Sequence, residues 1–508
     1  FLHKEHLMDQ NSDNRNSNSG RSSLPKKLVS WLEDVSFYCC DDTYYAGYEF
    51  YKPGQLSLVK IDSASLNGAV DALLRRLTGS PQRPTLVSTL VGMLFNRFMA
   101  EKDQDQILPA YRRTAVLPDK RIVRQHRPGC YVIIEPTGEV SVSSVAPVHM
   151  IRINDTSKDY ETSTWIPEPD FSHPDLELLW KYIPCSETDR ELILGFIFFS
   201  WLHSGFYNVL LLQGPPKSGK TTVSWMLKKL IDPGFTNNFS LHNFSLQNDL
   251  TLYATTRDTD VLLIDNVSSV SRAASDLLCC IAEGGYRVNV RLIYTQVYIP
   301  VKINMPVILN SISSEVSAGD LLNRSILIRS LQPSNYVDAT ELRKSFHNDM
   351  PRILGGLYQC FAGGYAKFLD PEFDPGVPTS IGRCAAFSRL AAACAYVYGD
   401  MDACVSAMVG NSVVVKDEAI ELNIVGRMLR ELFASHPDAV LKGTTLEIVR
   451  QLNEYEGIAK EFAAHNVNSI RFGMYLSQIV NDLRDDGILV DKRRSSRGTL
   501  YTIKRADA

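Results

Sequence analysis

Val209-Leu-Leu-Leu-Gln213-Gly214-Pro-Pro-Lys-Ser-Gly219-Lys220-Thr221-Thr222 is the stretch on which the reading of this chain turns. It opens as a continuous apolar run, the pattern of a parallel strand buried on both faces. It passes directly into G-x-x-x-x-G-K-[ST], and an amphipathic helical pattern over Thr222–Leu230 follows, stopping at Asp232-Pro233-Gly234. Glycines let the backbone curl so that its N–H groups point at phosphate oxygens, and the helix N-terminus adds a favourable potential for an anion. Lys220 places a point charge on the β- and γ-phosphates, and the Thr221 hydroxyl suits Mg²⁺. The expected phosphate cradle is therefore Gly214, Pro215, Pro216, Lys217, Ser218, Gly219, Lys220, Thr221 and Thr222, with ATP as ligand and Mg²⁺ as its metal.

A nucleotide site of this kind needs an acid on a second buried strand. Asp260-Val-Leu-Leu-Ile264-Asp265-Asn266 supplies it, and Asp265 joins Thr221 as the expected metal ligand. Asn266 stands where many such ATPases carry an acid that polarises the attacking water; an amide can orient a water but cannot act as a base. Asp260 and Glu283 are the alternative carboxylates. A third apolar run, Pro306-Val-Ile-Leu-Asn310, ends on a polar side chain, and Asn310 fits a γ-phosphate or water sensor at the C-terminal sheet edge, where ligands of open α/β sheets bind. Beyond it, Arg324 precedes the apolar run Ile326–Ile328 and suits an arginine finger; Arg329 is the fallback.

With these elements in order, roughly Leu117–Leu331 resembles the superfamily-3 helicase branch of AAA+ ATPases, and more closely the phage- and plasmid-type replicative ATPases related to poxvirus-type primase-helicases. The stretches carrying the resemblance are the loop itself, Leu230-Ile-Asp-Pro233, Ile264-Asp-Asn-Val-Ser268, Ser275-Asp-Leu-Leu-Cys279, Gly284-Gly285, Leu292-Ile-Tyr-Thr295, Ile308-Leu-Asn310 and Asp320-Leu-Leu-Asn-Arg324. The resemblance implies a ring, expected to be a hexamer, with ATP between subunits. Lys220, Thr221, Asp265 and Asn310 would act in cis and Arg324 in trans, and Asn266 departs from the second acid that many members carry. It also implies a DNA-contacting hairpin over Gly284–Lys302, with Arg287, Arg291 and Lys302 as contacts, and a primase or other replication partner. The first 114 residues show no acidic triad of a polymerase site.

The fold class expected is α/β: a P-loop AAA+ core with a parallel sheet, a mixed N-terminal domain and a C-terminal winged helix. Residues 1–24, almost purely polar over 8–24, read as a disordered tail, since such a stretch cannot bury enough apolar surface to offset its ordering entropy. Residues 25–114 read as a mixed or helical N-terminal domain, 115–205 as a β-rich then helical connector, 206–345 as the ATPase core, 346–410 as a helical linker or lid and 411–508 as the winged-helix domain. In the last, three helices precede two strands that flank Lys492-Arg493-Arg494-Ser-Ser-Arg497-Gly498. Lys492, Arg493, Arg494 and Arg497 are the expected phosphate contacts of a wing.

The whole chain is otherwise close to neutral. Its 508 residues carry 53 Lys and Arg against 57 Asp and Glu, a net charge of −4, so a nucleic-acid site must be a local patch. No apolar run reaches the roughly 18 residues that cross a bilayer, and the N-terminus lacks a basic-then-apolar leader, so a cytoplasmic protein without membrane partners is expected. Ten cysteines are scattered without a CxxC pair, and Cys39-Cys40 and Cys279-Cys280 are adjacent, which fits reduced thiols better than a zinc ribbon or disulfides. The expected function is an ATP-dependent DNA helicase or translocase in replication of a phage, plasmid or mobile element. The rival is an ATP-dependent DNA-binding switch, an initiator, loader or phage-defence ATPase that hydrolyses slowly. A small-molecule kinase lacks the lid arginines it would need.

Overall fold

The computed structural model describes residues 29–40, 42–151, 163–202, 205–233, 252, 256, 259–267, 270–291, 298–311, 319–329, 331, 338–378, 384–495 and 498–506. The expected tail over 1–24 lies outside them. The chain divides into two compact units, one up to Tyr38 and from Tyr44 to Leu108, the other comprising Cys39–Thr43 and everything from Pro109.

The first unit carries most of β1 (Ser36–Cys40), with β2 (Thr43–Lys52) and β3 (Gln55–Lys60), in the order β3-β2-β1. The Asp62 carboxylate accepts the Ser65 N–H at 2.7 Å and so caps α1 (Ser63–Thr78), which Gly79 ends at a φ of 75°. The helix α2 (Pro84–Asp103) begins on a proline, whose missing N–H costs nothing there. Trp31, Phe37, Phe50, Leu90, Leu94 and Phe98 are all buried. A two-residue strand, β4 (Leu108–Pro109), ends this part of the chain.

The second unit starts with an antiparallel meander, β5 (Thr114–Val116), β6 (Ile122–Arg127), β7 (Cys130–Ile134) and β8 (Val140–Ser143). Beyond it, residues 149–151 contribute one bridge, Tyr111 to Met150. Between Pro174 and Pro184 the chain makes a 3₁₀ turn over Glu177–Lys181. Next comes α3 (Glu187–Trp201), capped by Ser186 and buried throughout Leu192–Trp201, as an all-apolar helix must be.

Then β9 (Val209–Gln213), α4 (Lys220–Ile231), β10 (Leu262–Val267), α5 (Arg272–Ala282), the hairpin β11 (Tyr286–Arg291) and β12 (Tyr298–Ile303), β13 (Val307–Ser311), α6 (Gly319–Leu322) and β14 (Ser325–Ile328) build the centre. Four of these strands form one parallel sheet in the order β10-β13-β9-β14. The chain goes from β9 outward to β10, returns to insert β13 between them, and crosses to β14 on the other side. That order sets the end of β13 between the phosphate-loop strand and the Asp265 strand.

Three helices follow: α7 (Ala339–Leu369), α8 (Ala385–Tyr398) and α9 (Met401–Leu422). In α7, a side chain on Gly355 would meet the Asp170 carbonyl at 2.1 Å and one on Gly356 the Leu176 nitrogen at 2.6 Å. These glycines let the Pro-rich segment lie on the helix, where Asp170 N–H donates to the Pro351 carbonyl at 2.8 Å and Asp175 N–H to that of Arg352 at 3.0 Å. The boundary expected at 410–411 falls inside α9, whose Asn411 side chain bonds both the N–H and the carbonyl of Leu327 and so covers the free edge of β14.

The meander is joined to α4 by buried cations. Arg124, 1% exposed, donates to the Ile231 carbonyl at the end of α4 (2.7 Å), to Thr114 Oγ1 (2.9 Å) and to the Tyr358 hydroxyl (3.0 Å). Arg113 pairs with Asp232 at 2.6 Å. A guanidinium at a helix C-terminus suits the macrodipole and satisfies otherwise orphaned carbonyls. His126 beside them bridges the Pro167 carbonyl (2.6 Å) and the Tyr358 hydroxyl (2.7 Å). Burial, assisted by Arg124, Arg113 and Arg127, pushes its imidazole down to about 3 from an ordinary 6.5. The unfolded chain therefore binds the extra proton between those values, and folding stability falls as pH drops through that window. The thermal midpoint is expected to fall between pH 7 and pH 5, this imidazole contributing about 2 kcal/mol over that range. Calorimetry on His126→Gln should show a flatter profile; equal profiles for the two proteins reject the assignment.

The C-terminal part contains α10 (Ile424–Ser435), β15 (Val440–Gly443), α11 (Thr445–Leu452), α12 (Glu456–Ala464), α13 (Ser469–Asp485), β16 (Ile488–Ser495) and β17 (Gly498–Arg505). The three strands are antiparallel in the order β15-β17-β16. Thr444 and Glu447 cap α11 reciprocally. Sequence periodicity missed β15 and α12, both short.

Candidate nucleotide site

The loop after β9 bends as its glycine pattern predicts. Gly219 has a φ of 84° and Lys217 one of 68°, so consecutive peptide planes turn over and α4 begins on Lys220 with no side-chain cap on its first N–H groups. Those open donors are the anion-binding feature of a helix start. The Lys220 ammonium is held by the Gly214 and Pro215 carbonyls, both at 2.7 Å, and by Ser218 Oγ at 3.1 Å. Burial lowers its pKa and the Asp265 charge opposes that shift. A cation so placed gains from a polyanion brought to the loop.

The side chains expected around the loop come together. Thr221 Oγ1 donates to Asp265 Oδ1 at 3.1 Å, so a hydroxyl and a carboxylate, both hard oxygen donors, stand side by side. Among the described residues no group of three His, Cys, Asp or Glu side chains could hold a metal ion. Two protein oxygens suit Mg²⁺, which takes the rest of its shell from water and substrate phosphates. Thr221 and Asp265 would hold it, and bound there it would neutralise charge on the transferring phosphoryl group. Asn310, 2% exposed, lies one strand away, and its Oδ1 accepts the Asn266 N–H at 2.6 Å. Asn266 is exposed and has a φ of 61°, a left-handed conformation that Asn adopts more readily than most residues. At the same sheet edge, Arg329 donates to Gln213 Oε1 at 2.6 Å and pairs with Glu418 of α9.

Other expected residues stand elsewhere. Ser325 pairs with Val209 at the start of β9, and the Arg324 carbonyl accepts the Val209 N–H at 3.0 Å. Arg324 thus lies at the sheet edge opposite the phosphate loop, on the order of 15–20 Å from it by strand rise, and it pairs with Glu283 at 2.6 Å. Neither alternative carboxylate reaches the loop of its own chain. Asp260 precedes β10 at the far end of α4, paired with Arg112 at 3.0 Å, and Glu283 sits with Arg324.

In the hairpin, Arg287 lies directly across from Lys302. Like charges opposite one another are unfavourable unless an anion faces them. Asp42 supplies part of that, 3.9 Å from Arg287 and accepting the Lys302 N–H at 3.3 Å. Arg291 is in β11 opposite Tyr298; the hairpin tip, 292–297, and the Arg291 side chain lie outside the described residues, as does Arg497. Lys492, Arg493 and Arg494 are exposed on β16. Arg329, the fallback for the arginine finger, stands at this edge rather than beside Arg324, and Gln213 and Ser224 border the site without having been singled out for it from sequence. Only their positions, at a strand end or one helical turn into α4, could have marked them.

No helix among the described residues is long and apolar enough to cross a membrane. Residues 189–398 match the family described as Actinomycete integrative conjugative element replication protein. That stretch runs from α3 to α8 and contains the loop, Asp265, Asn310 and Arg324. No curated protein matches the chain in sequence. The chain is similar to a solved structure described as SCCmec type IV Cch, active helicase, at 14% identity and a TM-score of 0.46, over 93% of each chain. It is also similar to the apo NrS-1 C-terminal region, at 12% identity and a TM-score of 0.39, over 94% of this chain and 98% of that one. The RuvB Holliday junction branch migration motor of Thermotoga maritima aligns over 65% of this chain and 95% of its own, at 15% identity and a TM-score of 0.22. These are loose superpositions.

Proposed function

We propose that this chain is an ATP-driven DNA helicase or translocase that works as a ring, a hexamer by the resemblance, in replication of a mobile genetic element. The observation that carries the reading is the split of the site across the sheet. Lys220, Thr221, Asp265 and Asn310 gather at one edge, whereas Arg324 stands at the other, beyond reach of its own loop. An arginine finger so placed serves a neighbouring subunit's ATP. The match of residues 189–398 to a conjugative-element replication family supports the biological setting.

Arg287 and Lys302 on the hairpin would contact the translocating strand. The order β15-β17-β16, with α13 ahead of the β16–β17 hairpin, supports a winged helix whose Lys492, Arg493 and Arg494 touch phosphates. A second reading, an ATP-dependent DNA-binding switch with slow turnover, is favoured by Asn266 standing where a base would be.

The two readings part on ATPase rate with and without single-stranded DNA, measured beside the oligomer mass. The motor is expected to raise its turnover on the order of tenfold with DNA and to sustain it; a single burst with assembly supports the switch. Reversing Lys492, Arg493 and Arg494 to Glu should weaken DNA binding and lower the slope of log affinity against log salt by about two to three. An unchanged slope removes the wing from the DNA site.

A further inference from the structure

Ser224 sits one turn into α4 and is fully buried. Its hydroxyl donates to the Lys220 carbonyl at 2.8 Å, the ordinary back-bond of a helical serine. With that proton committed, the oxygen is left as an acceptor, and it takes the Asn310 Nδ2 hydrogen at 3.2 Å. The Asn310 amide is thereby oriented from both ends, nitrogen toward Ser224 and oxygen toward the Asn266 N–H at 2.6 Å. A chain of three hydrogen bonds thus runs from the first turn of the phosphate-loop helix to the left-handed turn after Asp265.

We propose that Ser224 is a positioning residue of this site, acting through Asn310 to fix the turn that carries Asn266. The inference rests on the ATPase reading above. Without the hydroxyl, a buried amide nitrogen loses its acceptor, and the Asn310 side chain is then held only at its oxygen end, by the Asn266 N–H. The group affected is the one at the position from which the attacking water would be oriented, whereas the phosphate cradle itself keeps every contact of the Lys220 ammonium and the Thr221 hydroxyl. Ser224 should therefore matter for turnover and little for nucleotide affinity.

The test uses the full chain with Ser224→Ala, and Ser224→Cys as a variant of similar volume and poorer acceptor strength should the alanine protein fail to fold. Steady-state kinetics should show kcat for ATP reduced on the order of tenfold, with KM within about twofold of wild type. The double variant Ser224→Ala/Asn310→Ala should be no slower than Asn310→Ala alone, because the two residues act as one unit. Hydrogen–deuterium exchange across residues 262–267, read by mass spectrometry without nucleotide, should be faster in Ser224→Ala. Unchanged exchange there, or losses that add in the double variant, would overturn the assignment. Should wild type itself prove unable to turn over ATP, the ATPase reading fails, and the exchange measurement still decides whether Ser224 fixes the turn.

Discussion

Lys220→Ala is expected to lower ATP turnover at least about a hundredfold, the usual scale for losing one preorganised charge at a reacting centre. The loop already holds this ammonium against two carbonyls and a hydroxyl, so the cation is fixed in direction before any substrate arrives. Its burial disfavours the charge, which means that the fold gains little from it and a triphosphate gains much. The thermal midpoint should accordingly change far less than the rate, with phosphate release and circular dichroism melts run on the same preparation. A variant that keeps turnover within about threefold of wild type would remove the phosphate-cradle assignment and the motor with it.

Arg324→Ala should cost on the order of a thousandfold in turnover, as loss of an arginine finger does, while ATP binding stays within about twofold. The argument is positional. Val209 and Ser325 are register partners at the start of β9 and β14, and the phosphate loop begins after Gln213 at the other end. On the proposed reading a side chain on that edge serves a second copy, and its pair with Glu283 would open on assembly. Mixing Arg324→Ala with Lys220→Ala provides the decisive measurement. Each protein is inactive alone, yet an intact loop on one meets an intact arginine on the other, so the mixture should regain activity. A mixture as inactive as its components would exclude action in trans.

The bend after β9 was legible because its sequence pattern is local. Glycine spacing, a lysine and a hydroxyl occupy consecutive positions, and an apolar run ahead of them forces a buried strand. Asp265 and Asn310 could be named for the same reason, each being the polar end of an apolar run. The caps at Asp62 and Ser186 were settled only by the structure, because neighbouring polar residues offer equivalent cap side chains.

Sequence alone therefore determined which residues could make a nucleotide site and which strands carry them. Tertiary structure decided where each stands. Inserting β13 between β9 and β10 brings Asn310 to Asn266 and Ser224, a contact between residues far apart in the chain. The same parallel order sends Arg324 to the far edge, and covering β14 with α9 joins Arg329 to Glu418. Periodicity reports which face of an element is apolar. Strand order follows from how those faces are shared among all the elements at once, and that is a property of the packed sheet.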